Sequence, residues 1–365
     1  MTSLRSDSVA RPPGMINGGD TGAGRVAWGV WHGGPWLVAW CLVGAVLAAP
    51  AGWADAFGPW FFLSSVLVFG LSHGAADVWL ARRLSACEGK TWSATRFVIS
   101  YLAMMCLALV VWALAPLPAF ALFLLLTAWH WGSAEVVPSR GRATGAAVVA
   151  QSMARGTWVI LAPFAWHTDQ VGALLASWGW WPGGAAEPAF WLGQGGWLAL
   201  WWLAVAADLL ATGAAGRGHS GDGSAGACRL EICLLLPAAM LLPPLWWVGL
   251  YFMAFHAWRH GLRLALLKKL DSARGRRRAA TDRGLGQEAC RLLLLDHRGY
   301  WLAAALLLVP VGWWWHGRLG TGVLSWTGTY VMWLAALTVP HALLVRRLDH
   351  RETGSAIGEG GYDAS

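Results

Sequence analysis

A chain of 365 residues with 57% hydrophobic and only 13% charged residues, 46 glycines and 29 tryptophans is too apolar for a soluble enzyme of its length and has the composition of an integral membrane protein. A net charge of +8 would suit a nucleic-acid partner, but the basic residues fall where membrane topology puts them, which excludes nucleic acid. The six cysteines, Cys41, Cys87, Cys106, Cys228, Cys233 and Cys290, contain no C-x-x-C pair and point to neither disulfides nor a thiolate metal site.

Residues 1–33 are Gly-rich and polar, with Arg5, Arg11 and Arg25 and no apolar run, so a disordered tail is expected there rather than a cleaved signal peptide. About 20 apolar residues cross a bilayer, and runs of about that length recur at 35–52, 57–80, 97–115, 117–135, 145–166, 189–212, 230–247, 250–268, 299–316 and 324–345. The expected fold is therefore all-α: a polytopic integral membrane protein of about ten transmembrane helices over 34–348, followed by a C-terminal tail at 349–365. The segment from Gln170 to Trp181 is too short to cross and reads as re-entrant or interfacial.

Cytoplasmic loops are enriched in Lys and Arg. Here 23 of the 27 basic residues fall in the N-terminal tail, the loops after spans two, four, six and eight, and the segment after span ten, with the densest run from Lys268 to Arg298. The opposite loops contain only Arg318. This distribution places both termini in the cytoplasm, in the inner membrane of the cell.

With that topology, spans two, four, eight and ten run in one direction and each carries histidine: His73, His130, the pair His256 and His260, and His341. At 1.5 Å per residue, His130 and His260 lie roughly 15–20 Å from the outer start of their spans and His73 about 24 Å, so the depths overlap. In YFMAFHAWRHGLR, from Tyr251 to Arg263, His256 and His260 stand at i and i+4 on one helical face and can present two nitrogens to one metal, with Arg259 and Arg263 as a neighbouring positive stripe. A zinc protease needs Glu after the first His, and Ala257 stands there.

Any one buried imidazole can be a satisfied core residue. Four or five at overlapping depth point to a shared metal, because ionisable groups in a bilayer are costly. Imidazole ligation suits iron, copper or zinc, and the residues alone do not choose among them. Asp77, one turn after His73, and Glu135, five residues after His130, are candidate partners for ligand N–H groups, or else face water at helix ends. Trp129, Trp131 and Trp258 flank candidate ligands and can line a channel for a long flat substrate, or serve as packing and belt residues.

GLSHGAAD, TAWHWG, YFMAFHAWRH and TVPHALLVRRLD, in this order, make the chain from about Phe57 to Asp349 resemble the Brp/Blh family of bacterial and archaeal beta-carotene 15,15'-dioxygenases. The resemblance implies ferrous iron, Fe(2+), held by His73, His130, His256 and His260, and His341 matches a further family position; Asp77, Glu135, Arg259 and His341 are the candidate supporting residues around such a site. In the family, acidic residues often follow the TAWHWG block directly, whereas Ser133 and Ala134 intervene here before Glu135. It further implies that dioxygen cleaves the central double bond of beta-carotene to two all-trans-retinal inside the lipid bilayer, with a rhodopsin as a retinal recipient. Two readings of other classes compete with it: a carotenoid- or retinal-binding helper that cuts nothing, and a histidine-metal electron carrier.

Overall fold

Apolar runs that cannot hydrogen-bond to lipid must close their backbone bonds within themselves, and they do so as helices. The computed structural model describes residues 29–70, 74–140, 145–178, 192–217, 224–276 and 322–354, and the regular elements among them are all helical. A π-helical turn at Gly29–Gly33 leads into α1 (Gly34–Ala48), which has Pro35 in its first turn. Gly52, at φ 79°, takes the left-handed conformation that opens α2 (Trp53–Ser65), and α2 runs into a second π-helical turn, Val66–Gly70. Then come α3 (Asp77–Cys87), α4 (Ala94–Leu114), α5 (Pro116–Arg140), α6 (Ala146–Trp166) and α7 (Thr168–Ser177). The Ser93 hydroxyl caps α4 by accepting from the Arg96 N–H. After these stand α8 (Gly193–Arg217) and α9 (Ser224–Leu241). The next rod consists of α10 (Pro244–Leu250), a π-helical stretch Tyr251–Ala257, and α11 (Trp258–Arg276), and the last helix is α12 (Val323–Gly354).

Five of the described helices are long and apolar enough to cross a membrane: Trp31–Ala48, Ala94–Leu114, Pro116–Pro138, Gly193–Ala214 and Val323–Arg351. The expected span at 57–80 is not one helix. Pro59 lies inside α2, the bonding changes to the π pattern at Val66, and a new helix starts at Asp77. Proline removes a helical donor and glycine, here Gly70, weakens helix, so the α pattern gives way to the π turn where the backbone resists least, and residues 71–73 lie outside the described ones. The described part of the segment at 170–181 lies largely in α7, a helix of ten residues that buries Val171 and Leu175 and is too short to cross, and 179–181 lie outside the described residues. The run at 299–316 lies outside the described residues, and α12 continues to Gly354, past the expected end of the helical domain at 348.

Close approach of α5 and α6 sets the frame. A Cβ added at Gly132 would overlap the Ser152 carbonyl, and one added at Gly156 would overlap the Ala128 carbonyl. Two small-xxx-small pairs, Ala128 with Gly132 and Ser152 with Gly156, therefore bring the backbones together. Tryptophan N–H groups peg other helices to this pair: Trp201 of α8 donates to the Trp158 carbonyl at 2.8 Å, and Trp247 of α10 to the Val159 carbonyl at 2.8 Å. Trp246 donates to the Ala54 carbonyl of α2, also at 2.8 Å. Each bond satisfies a polar atom that burial would otherwise leave wanting.

Candidate metal centre and cavity

Helices α5 and α12 and the rod that contains the third π segment each deliver imidazoles to one buried point. The His130 ring stands edge-on to His256, with ring centres 4.8 Å apart, and to His341 at 4.9 Å, and His341 in turn meets His260 at 5.4 Å. The four rings thus touch in the order His256, His130, His341, His260. All four residues are at most 5% exposed. Nitrogen ligands stand about 2.0–2.1 Å from a metal, so imidazoles that share one ion have centres roughly 5 Å apart. Among the described residues no group of three or more donors is already converged as for a bound ion.

The fit to a metal rests on His130. Neither of its ring nitrogens has a hydrogen-bond partner among the described residues. A buried polar atom left without a partner costs about 1–3 kcal/mol, and a metal bond removes that cost at one of the two. An imidazole set suits iron, copper or zinc alike.

The π-helical stretch shapes this arrangement. Its i→i+5 bonding ends just after His256, and α-helical bonding resumes before His260, so the pair straddles a change of helical pitch instead of sharing the simple α-helical face expected. His256 meets His130 while His260 meets His341. His73 lies outside the described residues.

Asp77 and Glu135, read as either ligand-supporting or water-facing, are both buried, and the water-facing alternative falls for each. Asp77 holds His341: its two carboxylate oxygens lie 2.8 and 3.0 Å from the ring Nδ1, and Tyr101 donates its hydroxyl proton to Asp77 Oδ2 at 2.9 Å. Glu135 pairs with Arg259, whose hydrogen-bond partners among the described residues are otherwise Glu231, His32 and the Trp31 carbonyl. Neighbouring residues on a helix point about 100° apart, so Arg259 is carried away from the imidazoles that flank it.

Of the three tryptophans considered for a channel, Trp131 stacks on His256 at 5.4 Å and 28° and lines a cavity of about 300 Å³. Trp129 and Trp258 are half-buried and outside that lining. His130, His256 and His341 are among the residues that line the cavity, and its walls are otherwise mostly apolar, supplied by the second and third π segments, α3, α4, α5 and α12. Val98 and Leu102 of α4 line the cavity and are 47% and 42% exposed.

A second polar centre went unread in the sequence. Arg155 of α6 pairs with Asp208 of α8 and lies 3.6 Å from Glu231 of α9, which also pairs with Arg259. Trp158 donates to Asp208 at 3.1 Å, Gln151 donates to Thr212 at 2.9 Å, and His32 Nδ1 lies 3.0 Å from Glu231. Arg263 donates to Asp349 of α12 at 2.6 Å. Single ionisable residues inside apolar runs were the available signal for Arg155, Asp208 and Glu231. At the surface, Lys90 and then Arg347 hold the Glu88 carboxyl below its ordinary range and tie the end of α3 to α12.

The family model for beta-carotene 15,15'-dioxygenase matches residues 64–349, from the end of α2 to within α12. The chain belongs to the beta-carotene 15,15'-dioxygenase family. A similar protein is the probable beta-carotene 15,15'-dioxygenase Blh of Halobacterium salinarum, 30% identical over 314 residues, which cover 79% of this chain and 83% of that relative. No solved structure matches. The match that defines this dioxygenase family spans the imidazole cluster, the Tyr101–Asp77–His341 chain and the cavity alike.

Proposed function

We propose that the protein cleaves the central double bond of beta-carotene with dioxygen to give two all-trans-retinal, at an iron held by His73, His130, His256 and His260 within the membrane. The observation that carries this reading is a mostly apolar cavity lined by three clustered imidazoles, His130, His256 and His341, in a chain of this family. Ferrous iron, when bound, supplies the activation of dioxygen. The protein's part is positioning. Trp131 and Phe252, both on the cavity wall, stack against His256 and offer flat apolar faces to a polyene. Met105, Phe123 and Leu337 keep water from the reacting bond, and the walls hold it against the cluster, a contribution to rate that needs no further catalytic group. Both oxygen atoms enter the two aldehydes, so no external reductant is consumed and none of the chain's residues has to deliver electrons.

The substrate is a hydrocarbon that dissolves only in lipid, which fits entry from the bilayer through the wall of Val98 and Leu102. The same reading places about ten spans across the inner membrane with both termini cytoplasmic, and makes a rhodopsin a plausible acceptor of the product. Expression in cells that make beta-carotene tests the proposal. Loss of orange colour with oxygen-dependent accumulation of retinal is expected. Unchanged carotene with folded protein in the membrane would sink it in favour of a binding role.

A further inference from the structure

The ring contacts and the hydrogen bonds of His341 carry one step beyond this reading, and that step rests on it. We infer that His341 is a ligand of the same metal, and that Asp77 and Tyr101 are positioning residues that aim it. Both Asp77 oxygens face Nδ1 of His341, and an imidazole with its proton on Nδ1 satisfies these short contacts by donating to the carboxyl group. The lone pair is then on Nε2, on the side of the ring turned from Asp77. Edge contacts with His130 at 4.9 Å and His260 at 5.4 Å show where the ring lies: it sits between two of the proposed ligands.

Metal-bound histidines commonly donate their other N–H to a carboxylate, which fixes tautomer and orientation and raises basicity. Tyr101 extends the chain by donating to Asp77 from α4, so three helices converge on one ring nitrogen. Pro340, inside α12 just before His341, has no N–H to give the helix and loosens it at the residue that must turn inward.

Full-length protein in detergent, titrated with Fe(2+) and separately with Co(2+), tests this through metal affinity and the visible spectrum of the cobalt form. His341→Ala and the near-isosteric His341→Gln should both weaken binding at least tenfold and change the cobalt spectrum. Asp77→Asn should weaken it about 10–100-fold, the range for outer-shell partners. Tyr101→Phe should do less, and Asp77→Glu should restore part of the loss. The variants are compared at equal folded protein, judged by size-exclusion profile and circular dichroism. Should His341→Ala lose its fold, His341→Gln and Asp77→Asn carry the comparison. Affinity and spectrum unchanged in these variants, with wild type binding metal and cleaving carotene, would overturn the role of His341 alone. Wild type that takes up neither metal would overturn the iron site as well.

Discussion

At the scale of single residues, His130 carries the heaviest consequence, because its ring is buried between two other imidazoles and both nitrogens lack a hydrogen-bond partner among the described residues. His130→Ala should lower retinal formation by more than about 100-fold, since outer-shell partners of a metal are by themselves worth about 10–100-fold. Retinal extracted per folded protein is the measurement, and activity within tenfold of wild type would remove His130 from the site. The ion pair of Arg155 and Asp208 makes a different prediction. Removing one member strands a buried charge, so Arg155→Leu should destabilise the fold by about 3–5 kcal/mol, whereas Arg155→Leu with Asp208→Leu should recover much of that. Thermal unfolding in detergent compares them, and a double variant no better than the single would contradict the pairing. His130, His256 and His260 were legible as intramembrane imidazoles. Arg155, Asp208 and Glu231 carried the same kind of signal, but their pairing depends on which helices pack together, and one sequence does not contain that. Asp77 was legible as a residue one turn from a candidate ligand, while its partner proved to be His341, 264 positions away.

The elements show why some features could be read and others could not. Apolar runs gave the helices at 35–52, 97–115, 117–135, 189–212 and 324–345 to within a few residues at most ends, because burial in a lipid-like surround and backbone satisfaction act along the run itself. The π turn Val66–Gly70 and the π-helical stretch Tyr251–Ala257 are also packed against each other, which one run does not reveal: Gly70 lies against the Phe252 ring. Packing of α5 on α6 is open to direct test. Gly132→Val and Gly156→Val should each abolish folded protein, because the added carbons fall on backbone that cannot move aside, while Gly44→Ala, with open space around it, should be neutral or slightly stabilising. Yield and monodispersity after detergent extraction report the result, and a well-folded Gly132→Val protein would contradict the close approach.

At the scale of the molecule, the arrangement is a helical assembly whose exterior is apolar, with Leu114 81% and Leu210 73% exposed, and whose interior holds two polar centres. One is the imidazole cluster facing the cavity, and the other is the Arg155–Asp208–Glu231–Arg259 network that ties helices together. Helix α4 buries only Met105 and Trp112 along its length, and its Val98, Tyr101, Leu102 and Met105 line the cavity. If substrate enters there, Leu102→Trp should lower kcat/KM for beta-carotene several-fold at unchanged metal content, and an unaltered value would move the entrance elsewhere. The central claim is a dioxygenase reaction at an iron in the membrane. Its most direct test is a reaction of purified, Fe(2+)-loaded protein with beta-carotene in detergent micelles under 18O2, with the products trapped at once to prevent exchange of aldehyde oxygen. Two retinal molecules per carotene consumed, both carrying 18O, are predicted. Carotene that stays intact beside bound iron, or retinal that takes its oxygen from water in one of the two halves, would contradict the account.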